Sequence, residues 1–214
     1  MRARVGVLIS GRGSVALPLI AAARAADYPA DIALVLSNQP DAPGLALAQA
    51  EGISTLAIDH RPFGKDREAH ERAVDAALRQ AGIEYIALAG YMRILTPYFV
   101  NAWAGRMINT HPSLLPAFPG LHTHQRALAA GVKLHGCSVH WVVEGVDEGS
   151  LIGQAAVPVV AGDDEETLRE RVQAAERRLY PVCLAAAIRG EGQDADTSAV
   201  LFNPSPDRPA PDSA

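Results

Sequence analysis

A chain of 214 residues suits one domain with an ordinary apolar core. Hydrophobic residues make up 49% and charged residues 20%, which excludes a disordered or fibrous chain. A formal net charge of −5 argues against nucleic acid or an anionic membrane as the main partner, while a small anion held by backbone N–H groups stays possible.

Val5-Gly-Val-Leu-Ile9 is a continuous run rich in branched residues and reads as a buried strand, closed by Ser10-Gly-Arg-Gly-Ser14. That run is too short for a signal peptide or a membrane span, so a soluble cytoplasmic protein is expected. A helix follows from about Ala16 to Ala26, with Pro18 tolerated near its start. Ile32–Leu36 is the second strand, followed by a turn and a helix stopped by Gly52. Thr55–Ile58 is the third strand. Asp66–Ala81 is a long helix with Gly82 just beyond it. Tyr85–Ala89 is the fourth strand, and Thr96-Pro97 are the N-cap and first residue of the next helix. Such alternation predicts an α/β fold: a Rossmann-like, largely parallel twisted sheet with helices on both faces. The loops after Ile9, Leu36, Ala89 and Ile108 would share one ligand rim at the carboxyl ends of the strands.

The second half differs in kind. Cys137–Val143 and Ile152–Val159 bracket an acidic turn and predict an antiparallel C-terminal hairpin. A last helix is expected from about Asp164 to Ile188, kinked at Pro181. Residues 1–190 would form the single domain, and 191–214 a Pro/Asp/Ser-rich tail, disordered or loosely docked, with an apolar island at Val200–Phe202. Cys137 and Cys183 read as a buried, reduced pair.

Three segments carry polar residues suited to chemistry. Gly11-Arg-Gly-Ser14, between a strand and a helix, is either a phosphate-binding loop or a plain structural turn. Asn109-Thr-His111 lies where the strand Met107-Ile108 ends, ahead of a proline-stiffened stretch. The residues alone leave two readings, a strand-end reactive pair or a turn cap with a packed imidazole. At the hairpin tip, Glu144, Asp147 and Glu148 read as a solvated turn, unless Asp147 folds over the rim and raises the pKa of an imidazole there. His111, His122, His124, His135, His140 and Cys137 also admit a metal reading, but without metal-ligand spacing it is set behind, and no metal is expected.

Taken together, Val7-Leu-Ile-Ser-Gly-Arg-Gly-Ser14, Ala89-Gly-Tyr-Met-Arg-Ile-Leu95, Ile108-Asn-Thr-His-Pro-Ser-Leu-Leu-Pro116, Pro119-Gly-Leu-His-Thr-His124, Gly136–His140, Asp147 and Gln154–Pro158 resemble the phosphoribosylglycinamide formyltransferase family. The resemblance covers about residues 4–190. It implies direct transfer of the formyl group of 10-formyltetrahydrofolate, a co-substrate, to the amine of glycinamide ribonucleotide in purine synthesis. It implies Asn109, a protonated His111 and Asp147 as the catalytic residues. It places the folate at Arg67, Met92, Arg93, Ile94, Leu95 and Asn109 and along the backbone of Val143, Glu144, Gly145, Val146 and Asp147. The nucleotide would lie at Gly13, Ser14, Val15, Gln173 and Glu176. The enzyme would be a monomer or homodimer.

Two departures from the family pattern stand out. Val15 replaces the usual Asn, from which weaker nucleotide binding is expected. Ser150 and Gly153 interrupt a more apolar stretch and are expected to loosen the hairpin tip. Rival readings are a formyltetrahydrofolate hydrolase, which would be expected to carry a regulatory domain ahead of the strand at Val5, and a tRNA-directed formyltransferase, which would want an added C-terminal domain and a basic surface. A non-catalytic folate or nucleotide binding module and a metal-dependent hydrolase complete the set.

Overall fold

The computed structural model describes residues 2–190 and 200–202. The expected alternation is present: β1 (Ala3–Ile9), α1 (Ala16–Ala22), β2 (Ala30–Ser37), α2 (Pro43–Ala50), β3 (Thr55–Ala57), α3 (Arg67–Gln80), β4 (Tyr85–Leu88), α4 (Pro97–Ala102) and β5 (Met107–His111). Beyond them come α5 (Thr123–Ala129), the hairpin β6 (Leu134–Trp141) and β7 (Leu151–Pro158), then α6 (Glu165–Arg189) and β8 (Val200–Phe202). Among the described residues the strands form one sheet in the order β3-β2-β1-β4-β5-β6-β7-β8. From β3 to β5 the pairing is parallel; β5–β6 and β6–β7 are antiparallel.

Helices cover both faces, which is why β1 reads as an unbroken apolar run. Its Val5, Val7 and Ile9 join the apolar layer under α1, α2, α5 and α6, while Leu8 packs with Val74 and Leu78 of α3, Phe99 of α4 and Trp103 just beyond it. Gly6 allows α3 to come close, because a Cβ there would sit 2.9 Å from Leu78 Cδ2. Local signals set the helix ends: the Asp66 carboxylate accepts the Ala69 N–H, Thr96 precedes Pro97, and Asp164 forms a capping box with Thr167. Tyr180 of α6 donates its hydroxyl to the carbonyl of Leu88 at 2.9 Å, anchoring the helix across the sheet.

Several expectations are corrected. α1 stops at Ala22, because the Arg24 and Ala25 N–H groups turn back to the carbonyls three residues earlier and tighten the end. α6 is continuous through Pro181, the position at which a kink is expected. α5 lies in a stretch to which the sequence reading assigns no element. At the hairpin tip the Ser150 carbonyl accepts the Trp141 N–H at 3.0 Å. Most of the tail lies outside the described residues; Val200–Phe202 pairs parallel with β7. Among the described residues, no helix is long and apolar enough to cross a membrane.

The strand order leaves β1 in both directions, to β2 on one side and β4 on the other. A crevice beyond the carboxyl ends of β1 and β4 is where such a sheet takes its ligand.

Candidate active site

β5 does not end before Asn109 but runs through His111, because β6 supplies ladder partners as far as that residue. Two positions apart on one strand, Asn109 and His111 point to the same face of the sheet. Across the ladder, His140 stands opposite Asn109 and Ser138 opposite His111. Just past Val139 the β6–β7 ladder skips Ile152, a bulge of the kind that re-aims side chains beside functional sites.

Asp147, from the turn joining β6 to β7, reaches this face. Its Oδ2 lies 3.3 Å from His111 Nδ1, and its Oδ1 3.6 Å from His140 Nε2. The Gly120 N–H donates to Asp147 Oδ2 at 2.9 Å. The side chains of His111, Asp147 and His140 are all less than a tenth exposed. Asp147 has φ +58°, a left-handed conformation that Asp tolerates better than most residues and that functional turns retain at some cost.

Charge and burial compete within this group. Burial alone would raise the Asp147 pKa, but contact with His140, the Gly120 N–H and the His111 ring outweigh it and hold the carboxyl below its ordinary value. For His111 the balance runs the other way. Burial pushes the imidazole below the usual histidine value, against the pull of the Phe118 carbonyl and of Asp147. The expected raised pKa is therefore corrected: the carboxylate does pull upward, but desolvation is larger. Both ring nitrogens face acceptors, Nε2 lying 3.1 Å from Phe118 O, so a protonated ring satisfies both contacts and either neutral tautomer only one.

His140 Nδ1 lies 2.8 Å from the Trp141 carbonyl, which selects the tautomer with the proton on Nδ1. Its Nε2 lies 3.3 Å from Asn109 Nδ2 and 3.6 Å from Asp147 Oδ1, so the neutral ring accepts from Asn109 and the charged ring donates to Asp147. An amide nitrogen carries two hydrogens, so the second remains available to a ligand.

The segment after His111 is pinned from β6 and β7. Ser138 Oγ donates to Ser113 O and accepts from the Leu115 N–H, and Gln154 Nε2 donates to Leu115 O. These bonds fix the stretch that delivers Phe118 O and Gly120 N to the site.

The other expected residues fall into two groups around this centre. Met92 and Ile94 project into solvent, 74% and 65% exposed, while Leu95 is half-buried. Arg93 is half-buried as well, and the exposed Arg67 donates to Ile94 O at 3.5 Å. Val143 and Val146 are exposed, Gly145 is half-buried, and the Glu144 carboxylate accepts from Asn101 Nδ2 at 2.9 Å. Beside Asp147 a cavity of about 340 Å³ opens between Pro116, Pro119 and Val146.

On the other side, Gly13 takes φ +66°, and a Cβ there would meet the Gly44 Cα at 3.0 Å. A cavity of about 520 Å³ adjoins this loop, lined by Arg12, Ser14, Leu17 and Leu47 together with Arg177 of α6. Val15 is buried in the apolar layer. Gln173 is half-buried, and Glu176 is buried, its Oε1 accepting from the Thr110 hydroxyl at 2.7 Å. Burial raises the Glu176 pKa.

The residue reading missed His140, Ser138 and Gln154 as parts of the site. Their one local signal is the alternation that puts Ser138 and His140 on one face of a strand. Among the described residues, no group of three or more His, Cys, Asp or Glu side chains is placed to hold a metal ion.

An amide, two imidazoles and a carboxylate converge at one end of an open α/β sheet, an arrangement suited to a group-transfer enzyme. Residues 3–184 match the formyl transferase family model. The phosphoribosylglycinamide formyltransferase of Escherichia coli is 44% identical, over 84% of this chain and 84% of its own length. The crystal structure of the same-named protein from Brucella melitensis is 52% identical, with a TM-score of 0.84 over 88% of this chain and 96% of that one. A trifunctional purine biosynthetic protein of Drosophila melanogaster is 47% identical over 88% of this chain, which spans only 14% of that longer relative. The chain belongs to the formyl transferase family and, within it, to the phosphoribosylglycinamide formyltransferases.

Proposed function

We propose that the protein moves the formyl group of 10-formyltetrahydrofolate to the primary amine of glycinamide ribonucleotide. The amine nitrogen attacks the formyl carbon, and the carbonyl oxygen becomes an oxyanion on a tetrahedral centre. The bond to the folate nitrogen then breaks, as a proton passes from the attacking nitrogen to the leaving one through a bound water. The free hydrogen of Asn109 Nδ2 and a protonated His111 stabilise the oxyanion, and no covalent enzyme intermediate forms. Asp147 orients His111 and favours its charged form. The observation that carries this reading is the Asp147–His111 contact of 3.3 Å, made two residues from Asn109 on the same strand face.

In this reading the donor lies against Met92, Arg93, Ile94 and Leu95 and the backbone of Val143–Asp147, with Arg67 toward its carboxylate tail. Exposed apolar side chains at Met92 and Ile94 suit a flat heterocycle. The nucleotide phosphate lies at Gly13, Ser14 and the Val15 N–H, where the guanidiniums of Arg12 and Arg177 add charge. Gln173 and Glu176, one turn apart, take the ribose, with Glu176 Oε2 the oxygen not engaged by Thr110. Residues 1–190 are the working domain, and the enzyme acts in the cytoplasm without a metal.

The deciding experiment follows loss of 10-formyltetrahydrofolate with and without glycinamide ribonucleotide. Consumption that requires the nucleotide supports transfer; equal consumption without it means the acceptor is water.

A further inference from the structure

Ser10 directly follows β1 and sits at the switch point between β1 and β4. It makes three hydrogen bonds there. Its N–H donates to Gly90 O at 3.1 Å, its hydroxyl donates to Asn38 Oδ1 at 2.6 Å, and the same oxygen accepts the Met92 N–H at 2.8 Å. Asn38 is itself buried, and His60 Nδ1 lies 2.9 Å from its backbone carbonyl and 3.2 Å from its Nδ2, which holds the residue in place behind Ser10. The hydroxyl is thus held from behind and aimed at one backbone N–H.

What it holds is unusual. Gly90 turns the chain at φ +74°, Tyr91 is buried, and Met92 and Ile94 stand out into solvent. Further along, the buried Glu71 carboxylate accepts from the N–H and the hydroxyl of Thr96. A short segment with exposed apolar side chains is therefore tied down at both ends, although nothing apolar covers it among the described residues. Apolar groups displayed on a backbone fixed in this way are preorganised for whatever covers them, which in the reading above is the formyl donor.

We propose that Ser10 is a positioning residue for the formyl donor, holding residues 90–95 in the conformation that receives the heterocycle. This rests on the reading of Met92–Leu95 as the donor's binding segment. Ser10 directly precedes the glycine loop but turns its hydroxyl toward the donor side, so its loss separates the two substrates.

The test compares the parent with Ser10→Ala and Ser10→Thr. Losing one neutral hydrogen bond to a solvent-accessible amide corresponds to roughly a five- to tenfold effect. The KM for 10-formyltetrahydrofolate is expected to rise by about that factor in Ser10→Ala, with kcat within about threefold and the KM for glycinamide ribonucleotide within about twofold. Equilibrium titration with tetrahydrofolate, the product, should weaken in parallel. The Met92 amide should exchange its hydrogen faster, and Ser10→Thr should recover most of both losses. An unchanged donor KM, or equal rises for both substrates, overturns the role given to Ser10. If the parent itself fails to bind tetrahydrofolate, the donor-segment reading falls; a parent that binds while Ser10→Ala binds equally well removes the Ser10 proposal alone.

Discussion

Asn109 and His140 face each other across the β5–β6 ladder, with the amide Nδ2 3.3 Å from the imidazole Nε2. In the neutral ring the His140 Nδ1 proton is committed to the Trp141 carbonyl, so Nε2 presents an acceptor to Asn109 and orients its amide. His140→Ala is expected to lower kcat by about ten- to a hundredfold, less than the loss of an oxyanion donor itself, and to leave both KM values nearly unchanged. The double variant with Asn109→Ala should be little worse than Asn109→Ala alone. Steady-state kinetics of the cycle decide it, and simple multiplication of the two losses would refute the orienting role.

Asp147→Asn keeps a side chain suited to the left-handed backbone at this position and removes only the charge. We expect kcat to fall about a hundredfold or more, by analogy with carboxylates that orient a catalytic imidazole. The sign of the pH effect follows from the contacts. Asp147 pulls the His111 pKa upward, so its neutralisation lowers that pKa further. A reaction that needs the imidazolium loses rate as pH rises through this value, and the decline should move to lower pH in the variant. A decline that stays in place would mean the neutral ring is the working form.

Arg12 and Arg177 line the cavity beside the glycine loop from two different elements. Replacing either by Gln should raise the KM for glycinamide ribonucleotide several-fold while sparing the KM for the formyl donor, since a charge-assisted bond to a dianion is among the stronger polar contacts. Raised ionic strength should reproduce part of the effect in the parent. A rise in donor KM instead would move the phosphate elsewhere.

His135 is buried against His124 and Phe118, with ring centroids 5.3 and 5.9 Å away, and among the described residues neither of its nitrogens makes a well-formed hydrogen bond, the Pro112 carbonyl giving only a weak upward pull on its pKa. Burial pushes its pKa down to about 4 from the ordinary 6.5. A depressed histidine binds its proton more readily in the unfolded chain, so its stabilising effect is complete above pH 6.5 and is lost as pH falls toward 4. The urea midpoint should drop across that window, and His135→Leu should flatten the drop. Parallel pH curves for parent and variant would contradict this.

Local chemistry made much of the fold legible. Apolar runs such as Val5–Ile9, the caps at Asp66, Thr96 and Asp164, and the turns between them each act within a few residues, so a reader of the sequence meets cause and effect together. The residue types that meet in the candidate site were legible as well, because Asn109, His111 and Asp147 stand in recognisable surroundings. The length of β5 was not, since its last residues are strand only by virtue of β6, more than twenty residues later. His140 was hidden for the same reason: it belongs to the site through register, a property of two strands rather than one. Burial, too, is collective. Residues from several elements desolvate His111 and turn its pKa opposite to what its carboxylate neighbour alone would dictate. The order of amino acids therefore determined which groups were available and where the chain would turn. Only the packed sheet decided which groups meet, how dry their surroundings are, and hence which protons they keep.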